Sequence, residues 1–407
     1  MSTSRVTLAT LTLGASLLAA CGGGGSDEPT PPPPAAATIT LSGQLTAPDA
    51  TTPIANALVY VKDSSAGTAA GQARPLAALP CGAPPTASWA ATCTGADGKF
   101  SFAAKVPASP TLVAVKGAFT LEKALVVSGD GALNVGTVAL APASASKFAV
   151  VAGAFDNIQD VLAKLGYGQV AEGRLVLGTE AFTLYDGDNL LGGTYKDADA
   201  LFVDADNNGQ ADIFNHSVVF FNCGLNEAAL DSPQNRAILR AYVEAGGRIY
   251  ASDQAYDVVE QVFPAYLDFE GSVAPADQPE AIDAAQIGDP DLIVNASVDA
   301  TLAAWLQGVG CVNGPCIADG KVHVEGFLVG WAVMAGVHPA QQAAVKTWAS
   351  GPVTFTGQTE AVQRPLTVSF GVGQGRVSYT SYHTEPDAPT QGFMPQERVM
   401  QYLVFEL

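Results

Sequence analysis

Residues His216–Asp257 read HSVVFFNCGLNEAALDSPQNRAILRAYVEAGGRIYASDQAYD. An apolar run, Val218–Phe221, ends at Asn222-Cys223-Gly224. A helical period follows, with Ile238, Leu239, Tyr242 and Val243 on one face, and Gly246-Gly247 stops it. A second apolar run, Arg248–Ala251, ends at Ser252-Asp253-Gln254. Strand, loop, helix, glycine stop and strand predict a βαβ unit, hence two parallel strands joined by a right-handed crossover. Ligands of such sheets bind beyond the carboxyl ends of the strands, where both loops belong.

The rest of the chain sets the context. Its 407 residues allow roughly two or three domains. Only 14% of residues are charged, while 42 are Gly and 26 are Pro, which suits a loop-rich chain and not a helical bundle. The formal charge is −20 and no basic patch is visible, so nucleic acid is not an expected partner. The acidity reads as a solvated, solubilising surface.

At the N-terminus, Arg5 precedes an apolar run from Val6 to Ala20, and Leu18-Ala19-Ala20-Cys21 follows as its end. The run is too short to span a bilayer. It resembles the bacterial lipoprotein signal, which implies a signal peptide over residues 1–20, lipid on Cys21 and attachment to a membrane. Gly22 after the cysteine resembles the outer-membrane sorting pattern. An ordinary secretory signal cut nearby is the alternative. Residues 21–37, ending in GGGGSDEPTPPPPAAA, form a glycine and proline-rich tether. Export makes disulfides admissible. Proximity suggests Cys81-Cys93 and Cys311-Cys316, leaving Cys223 alone or paired with a later cysteine.

Residues 38–142 alternate like short strands, with a turn at Asp97-Gly98. Leu41-Ser42-Gly43-Gln44-Leu45, Pro53–Val61 and Thr94–Phe102 carry a resemblance to the carboxypeptidase regulatory-like family. That resemblance implies a small prealbumin-like β-sandwich acting as a spacer or adhesive unit; the segment Ser64–Cys93 is longer than the family's. Ala143–Ser146 reads as a hinge. Residues 147–407 then alternate strand and helix: strands at Lys147–Ala152 and Ala198–Val203, helices at Phe155–Leu165 and Val258–Phe263, a hairpin Leu366–Phe370/Arg376–Ser381, and a closing helix Gln396–Phe405. Residues of about 264–365 show few clear periods and read as an insertion. The fold class expected is thus multidomain: a β-sandwich, then an α/β flavodoxin-like domain.

The hairpin delivers His383-Thr384-Glu385 before the last helix. With the βαβ unit, this resembles the class I glutamine amidotransferase-like family, which places a cysteine on a strand-to-helix elbow and a His-x-Glu near the C-terminus. The resemblance implies His383 as general base, oriented by Glu385. Two placements of the elbow compete. Cys223 could be the nucleophile with the Gly224 N–H as an oxyanion donor, although Phe221 and Leu225 stand where the family has glycines. Alternatively Asn222-Cys223-Gly224 is the family's glycine loop, and the elbow is Ser252-Asp253-Gln254, with no cysteine. The strand order favours the second, which resembles the degenerate members that keep the fold without amidotransfer.

Asp204-Ala205-Asp206-Asn207-Asn208-Gly209-Gln210-Ala211-Asp212 resembles the D-x-D-x-[DN]-G calcium loop. Asp204, Asp206, Asn208 and Asp212 would be the Ca²⁺ ligands, although Asn215 stands where an EF-hand has its bidentate Glu. The same residues also suit a turn with no metal. His216 and His323 read as structural. The expectation is a lipid-anchored envelope protein whose degenerate α/β domain serves as binding module or scaffold for a small-molecule, peptide or glycan ligand. The alternative is an exported cysteine hydrolase of amide or γ-glutamyl bonds using Cys223, His383 and Glu385.

Overall fold

The computed structural model describes residues 36–66, 79–145, 147–271, 278–312, 314–384 and 390–407. The signal peptide, the tether's first fifteen residues including Cys21, and Glu385 lie outside them. Residues Ala36–Leu407 form one compact unit.

The N-terminal strands build two four-stranded sheets. Ala37–Thr46 lies between Lys99–Val106, antiparallel to it, and Gly131–Ala139, parallel to it. Leu58–Lys62 pairs with Ala91–Cys93 and Thr111–Lys116, and the latter with Phe119–Ala124. Alternate residues turn inward: Ile39, Leu41, Val59, Val61 and Leu112 are all buried in one cluster. Asp97-Gly98 makes the expected turn, where Gly98 has φ +73°. The Cys81–Cys93 disulfide is formed, as is Cys311–Cys316, while Cys223 is a free thiol. Such pairs belong to an oxidising, extracytoplasmic setting. No helix among the described residues is long and apolar enough to cross a membrane.

The α/β part is organised by a ten-stranded sheet. Six strands are parallel, in the order Lys196–Asp197, Thr183–Asp186, Phe148–Ala152, Val218–Phe221, Arg248–Ser252, Gly375–Thr380. Val218–Phe221 and Arg248–Ser252 pair in register, Val218 opposite Arg248, across the helix Pro233–Glu244. Ser232 caps that helix by accepting the Asn235 N–H, and Leu239, Tyr242 and Val243 are its buried face. All of Phe148–Ala152 and Val218–Phe221 is buried, as in a parallel strand covered on both sides. The architecture is the expected one: small N-terminal sheets followed by a mostly parallel α/β sheet.

Three details differ from the sequence reading. Ala198–Phe202 is a 3-10 turn and not a strand, because only Leu201 is buried and the sheet edge is taken by Lys196–Asp197. Residues 264–365 are not irregular throughout. Val294–Val298, Lys321–Val324, Val345–Phe355 and the long Gln358–Val372 extend the main sheet by four antiparallel strands. The expected hinge instead starts as a 3-10 turn, Pro142–Ala145, whose Ala145 is fully buried. The sandwich and the α/β part share one apolar core: Phe119 of the sandwich lies with its ring centroid 5.0 Å from Phe148 and 4.9 Å from Phe405.

Candidate functional site

Three strands deliver the site at their carboxyl ends. Val218–Phe221 supplies Cys223, Arg248–Ser252 supplies Asp253, and Gly375–Thr380 supplies His383. The thiol, carboxylate and imidazole ligand atoms all lie within 4.8 Å of one another. His383 Nε2 is 2.9 Å from Asp253 Oδ2. The Cys223 thiol donates to the same oxygen at 3.6 Å. The other carboxylate oxygen accepts the Ala332 N–H at 2.7 Å, and the Tyr379 hydroxyl donates to the Asp253 carbonyl at 3.0 Å.

The backbone distinguishes the two elbows. Asp253 is left-handed, with φ +46°, between a strand and the short helical segments Asp253–Tyr256 and Asp257–Glu260. An aspartate tolerates that conformation better than a branched residue, and it persists here through the fixed side chain. On the other strand the left-handed residue is Gly224, φ +80°, and Cys223 is not left-handed. The geometry thus favours the elbow at Ser252-Asp253-Gln254, with Asn222-Cys223-Gly224 as the neighbouring glycine loop. Ser252 is fully buried, and its hydroxyl accepts the Cys223 N–H at 3.1 Å.

Close packing locks the glycine loop. The Cys223 and Gly224 carbonyls accept the N–H groups of Phe155 and Ala154 at 3.2 and 3.1 Å. A Cβ on Gly153 would stand 2.1 Å from the Cys223 carbonyl, and one on Gly224 2.6 Å from the Phe155 ring. The cluster is sealed: Cys223 is 1% exposed, Asp253 2% and His383 2%. Burial, and then the adjoining Asp253 carboxylate, push the Cys223 thiol far above its ordinary pKa. A thiol so placed is a poor thiolate.

Sequence reasoning missed Asp156. Its carboxylate accepts the Thr384 N–H on both oxygens, at 3.1 and 3.0 Å, and so holds the residue next to His383. The Asn222 side chain in turn donates to the Asp156 carbonyl at 3.0 Å and to Gln159 Oε1 at 2.7 Å. Asp156 follows a parallel strand, as Asp253 does, and that shared position was the available signal. Glu385, the expected partner of His383, is outside the described residues. His216 meets the Tyr185 hydroxyl at 3.1 Å and His323 meets Glu325 at 3.0 Å, away from the cluster.

The calcium-like loop is a separate group. Carboxylate oxygens of Asp204, Asp206 and Asp212 lie within 4.8 Å of one another. The Asn208 N–H donates to Asp204 and to Asp206 at 3.0 Å each, across a turn with Asn207 at φ +58° and Gly209 at φ +92°. Asp212 is buried, accepts the Ala205 N–H at 3.0 Å and lies 3.5 Å from Lys196 Nζ.

No family model and no curated protein matches the chain. Among solved structures it is similar to a protein described as ThuA-like from Parabacteroides merdae, at 10% identity and a TM-score of 0.36, over 63% of this chain and 87% of that one. It is also similar to a cytoplasmic protein of Salmonella typhimurium, at 10% identity and a TM-score of 0.29, over 63% and 96%. A third likeness is to a GH42 β-galactosidase of G. stearothermophilus, at 9% identity and a TM-score of 0.30, over 64% of this chain and 30% of that enzyme.

Proposed function

We propose that this chain is an exported, lipid-anchored envelope protein whose amidotransferase-like domain performs no amidotransfer and serves as a binding module or scaffold. The observation that carries the reading is Asp253 at the left-handed elbow, its carboxylate engaged by His383, Cys223 and the Ala332 N–H. A nucleophile in that position needs a reactive side chain facing substrate and a base free to take its proton. Here the side chain at the elbow is itself a carboxylate in contact with His383, and the group is sealed from solvent. The test is hydrolysis of L-glutamine and of γ-glutamyl-p-nitroanilide by the purified chain. No turnover is expected, and turnover lost in His383→Ala would overturn the reading.

The convergence of Cys223 and His383 within 4.8 Å supports a second reading, a cysteine hydrolase of amide or γ-glutamyl bonds with Glu385 orienting the base. Turnover abolished in Cys223→Ala would establish it. The lipid anchor implies a mature N-terminus at lipidated Cys21, which mass spectrometry of the native protein reads directly. For the loop at 204–212, bound Ca²⁺ would be held by Asp204, Asp206, Asn208 and Asp212. Oxygen donors in this spacing suit that hard cation. Addition of Ca²⁺ should raise the melting temperature of the wild type and not of Asp206→Asn.

A further inference from the structure

The amino-terminal end of the parallel sheet, opposite the buried cluster, holds a cavity of about 660 Å³. Arg248 opens one parallel strand and Arg376 lies in its neighbour, paired Cα to Cα in register. Both line the cavity, together with Lys116 of the sandwich and Lys346 of the antiparallel extension. The lysines are matched: Lys116 Nζ is 2.6 Å from Glu406, and Lys346 Nζ is 3.4 Å from Asp299 and 3.6 Å above the Trp348 ring. The arginines are not. Among the described residues neither guanidinium makes an ion pair or a side-chain hydrogen bond.

That is a costly arrangement for this chain. It has 39 acidic residues against 19 Lys and Arg, so a carboxylate partner for each arginine would be easily supplied. Instead two adjacent like charges share one half-buried space. Burial, reinforced by the neighbouring Arg376, lowers the Arg248 pKa, which registers the same unmet charge. Paired guanidinium forks match the two oxygens of a carboxylate or phosphate, and a space of this size suits a small molecule.

We propose that this junction cavity binds a small-molecule ligand bearing a carboxylate or phosphate group, held by Arg248 and Arg376. It gives the binding reading above a ligand class, yet it is independent of whether the buried cluster turns over a substrate. The anion would tie the sandwich, through the cavity wall at Lys116, to the start of two parallel strands.

The test is isothermal titration calorimetry of the full mature chain at low ionic strength, in two arms, inorganic phosphate and citrate. One-site saturable binding of at least one anion is expected, and the arm that binds identifies the headgroup. The affinity should fall at least tenfold in Arg248→Gln and in Arg376→Gln. Both variants should melt in chloride at or above the wild type, since each removes a like-charge repulsion. Arg248→Lys and Arg376→Lys keep the charge but lose the fork, and should bind several-fold more weakly. The absence of saturable binding in both arms, or undiminished affinity in either Gln variant, overturns the proposal. The turnover assay on the buried cluster is unaffected by either result.

Discussion

Asp253 sets the character of the site through a single backbone angle and four contacts. Its φ of +46° places the carboxylate where His383, the Cys223 thiol and the Ala332 N–H converge. Removing the partner of a buried carboxylate leaves that carboxylate unmet. His383→Ala should therefore cost about 2–3 kcal/mol in urea unfolding, as for other buried groups left without a hydrogen-bond partner. Asp253→Asn, which keeps the shape but loses the charge, should cost less. At this scale much was readable beforehand. The strand-plus-polar pattern placed Asp253 and His383, and the missing cysteine at the second elbow was visible in the letters. Asp156 offered only its place after a strand, a weak signal, because an aspartate at a helix entrance reads as a cap. Its contact with Thr384 spans 228 residues, which no local period reveals.

At the scale of elements, two features have testable consequences. The first is the contact between the exit of Phe148–Ala152 and the glycine loop. Gly153→Ala would drive a methyl to 2.1 Å from the Cys223 carbonyl, backbone against backbone. The loops must part, and the expected cost is about 2 kcal/mol or more, in the range of overpacked sites. The second is the helical segment Asp257–Glu260. Glu260 is 1% exposed and receives the Glu280 N–H at 2.5 Å and the Gln261 side chain at 2.6 Å. Burial nonetheless pushes its pKa from 4.5 to about 8, and that of Glu280 to about 7. The folded chain then holds protons that the unfolded chain releases between these values. The contribution of Glu260 to stability is fully present below about pH 4.5 and is lost as pH rises through about 8. At about 1.4 kcal/mol per pK unit, reduced for solvent screening of the two carboxyls, the loss is on the order of 1–2 kcal/mol. Urea unfolding at pH 5 and pH 8 measures it, and Glu260→Gln should flatten the difference. Of the extension of the main sheet, the sequence showed only the hairpin strand at Leu366–Phe370, and the rest within residues 294–365 was hidden. Glycines and prolines interrupt the alternation of Val345–Phe355 and Gln358–Val372, and Val294–Val298 finds its partners only at Lys321–Val324 and Ala349–Ser350.

On the scale of the whole molecule, the sandwich is not an appendage. The Trp305 indole donates to the Pro53 carbonyl at 2.8 Å, and the Ala118 N–H donates to Leu407 at 2.8 Å. Gly117 leaves no room there, since a Cβ would sit 1.9 Å from the Leu407 carbonyl. With Phe119, Phe148 and Phe405 in one cluster, unfolding either part exposes the core of the other. Calorimetry should show a single transition for residues 36–407. Phe119→Ala, costing about 3–5 kcal/mol, should lower it as a unit. Two separable transitions would mean that the parts are independent. The sequence separated these parts by composition and period, which describe each part alone. The docking depends on which apolar faces meet, and that is decided only in three dimensions.

Thiol labelling of the native, unreduced chain at neutral pH, with the labelled peptide mapped by mass spectrometry, reads whether the sealed cluster activates its cysteine. Cys223 is expected to stay unlabelled until the chain unfolds, at a rate set by unfolding. Rapid labelling of folded protein, slowed in His383→Ala, would show a base-activated thiolate and contradict it.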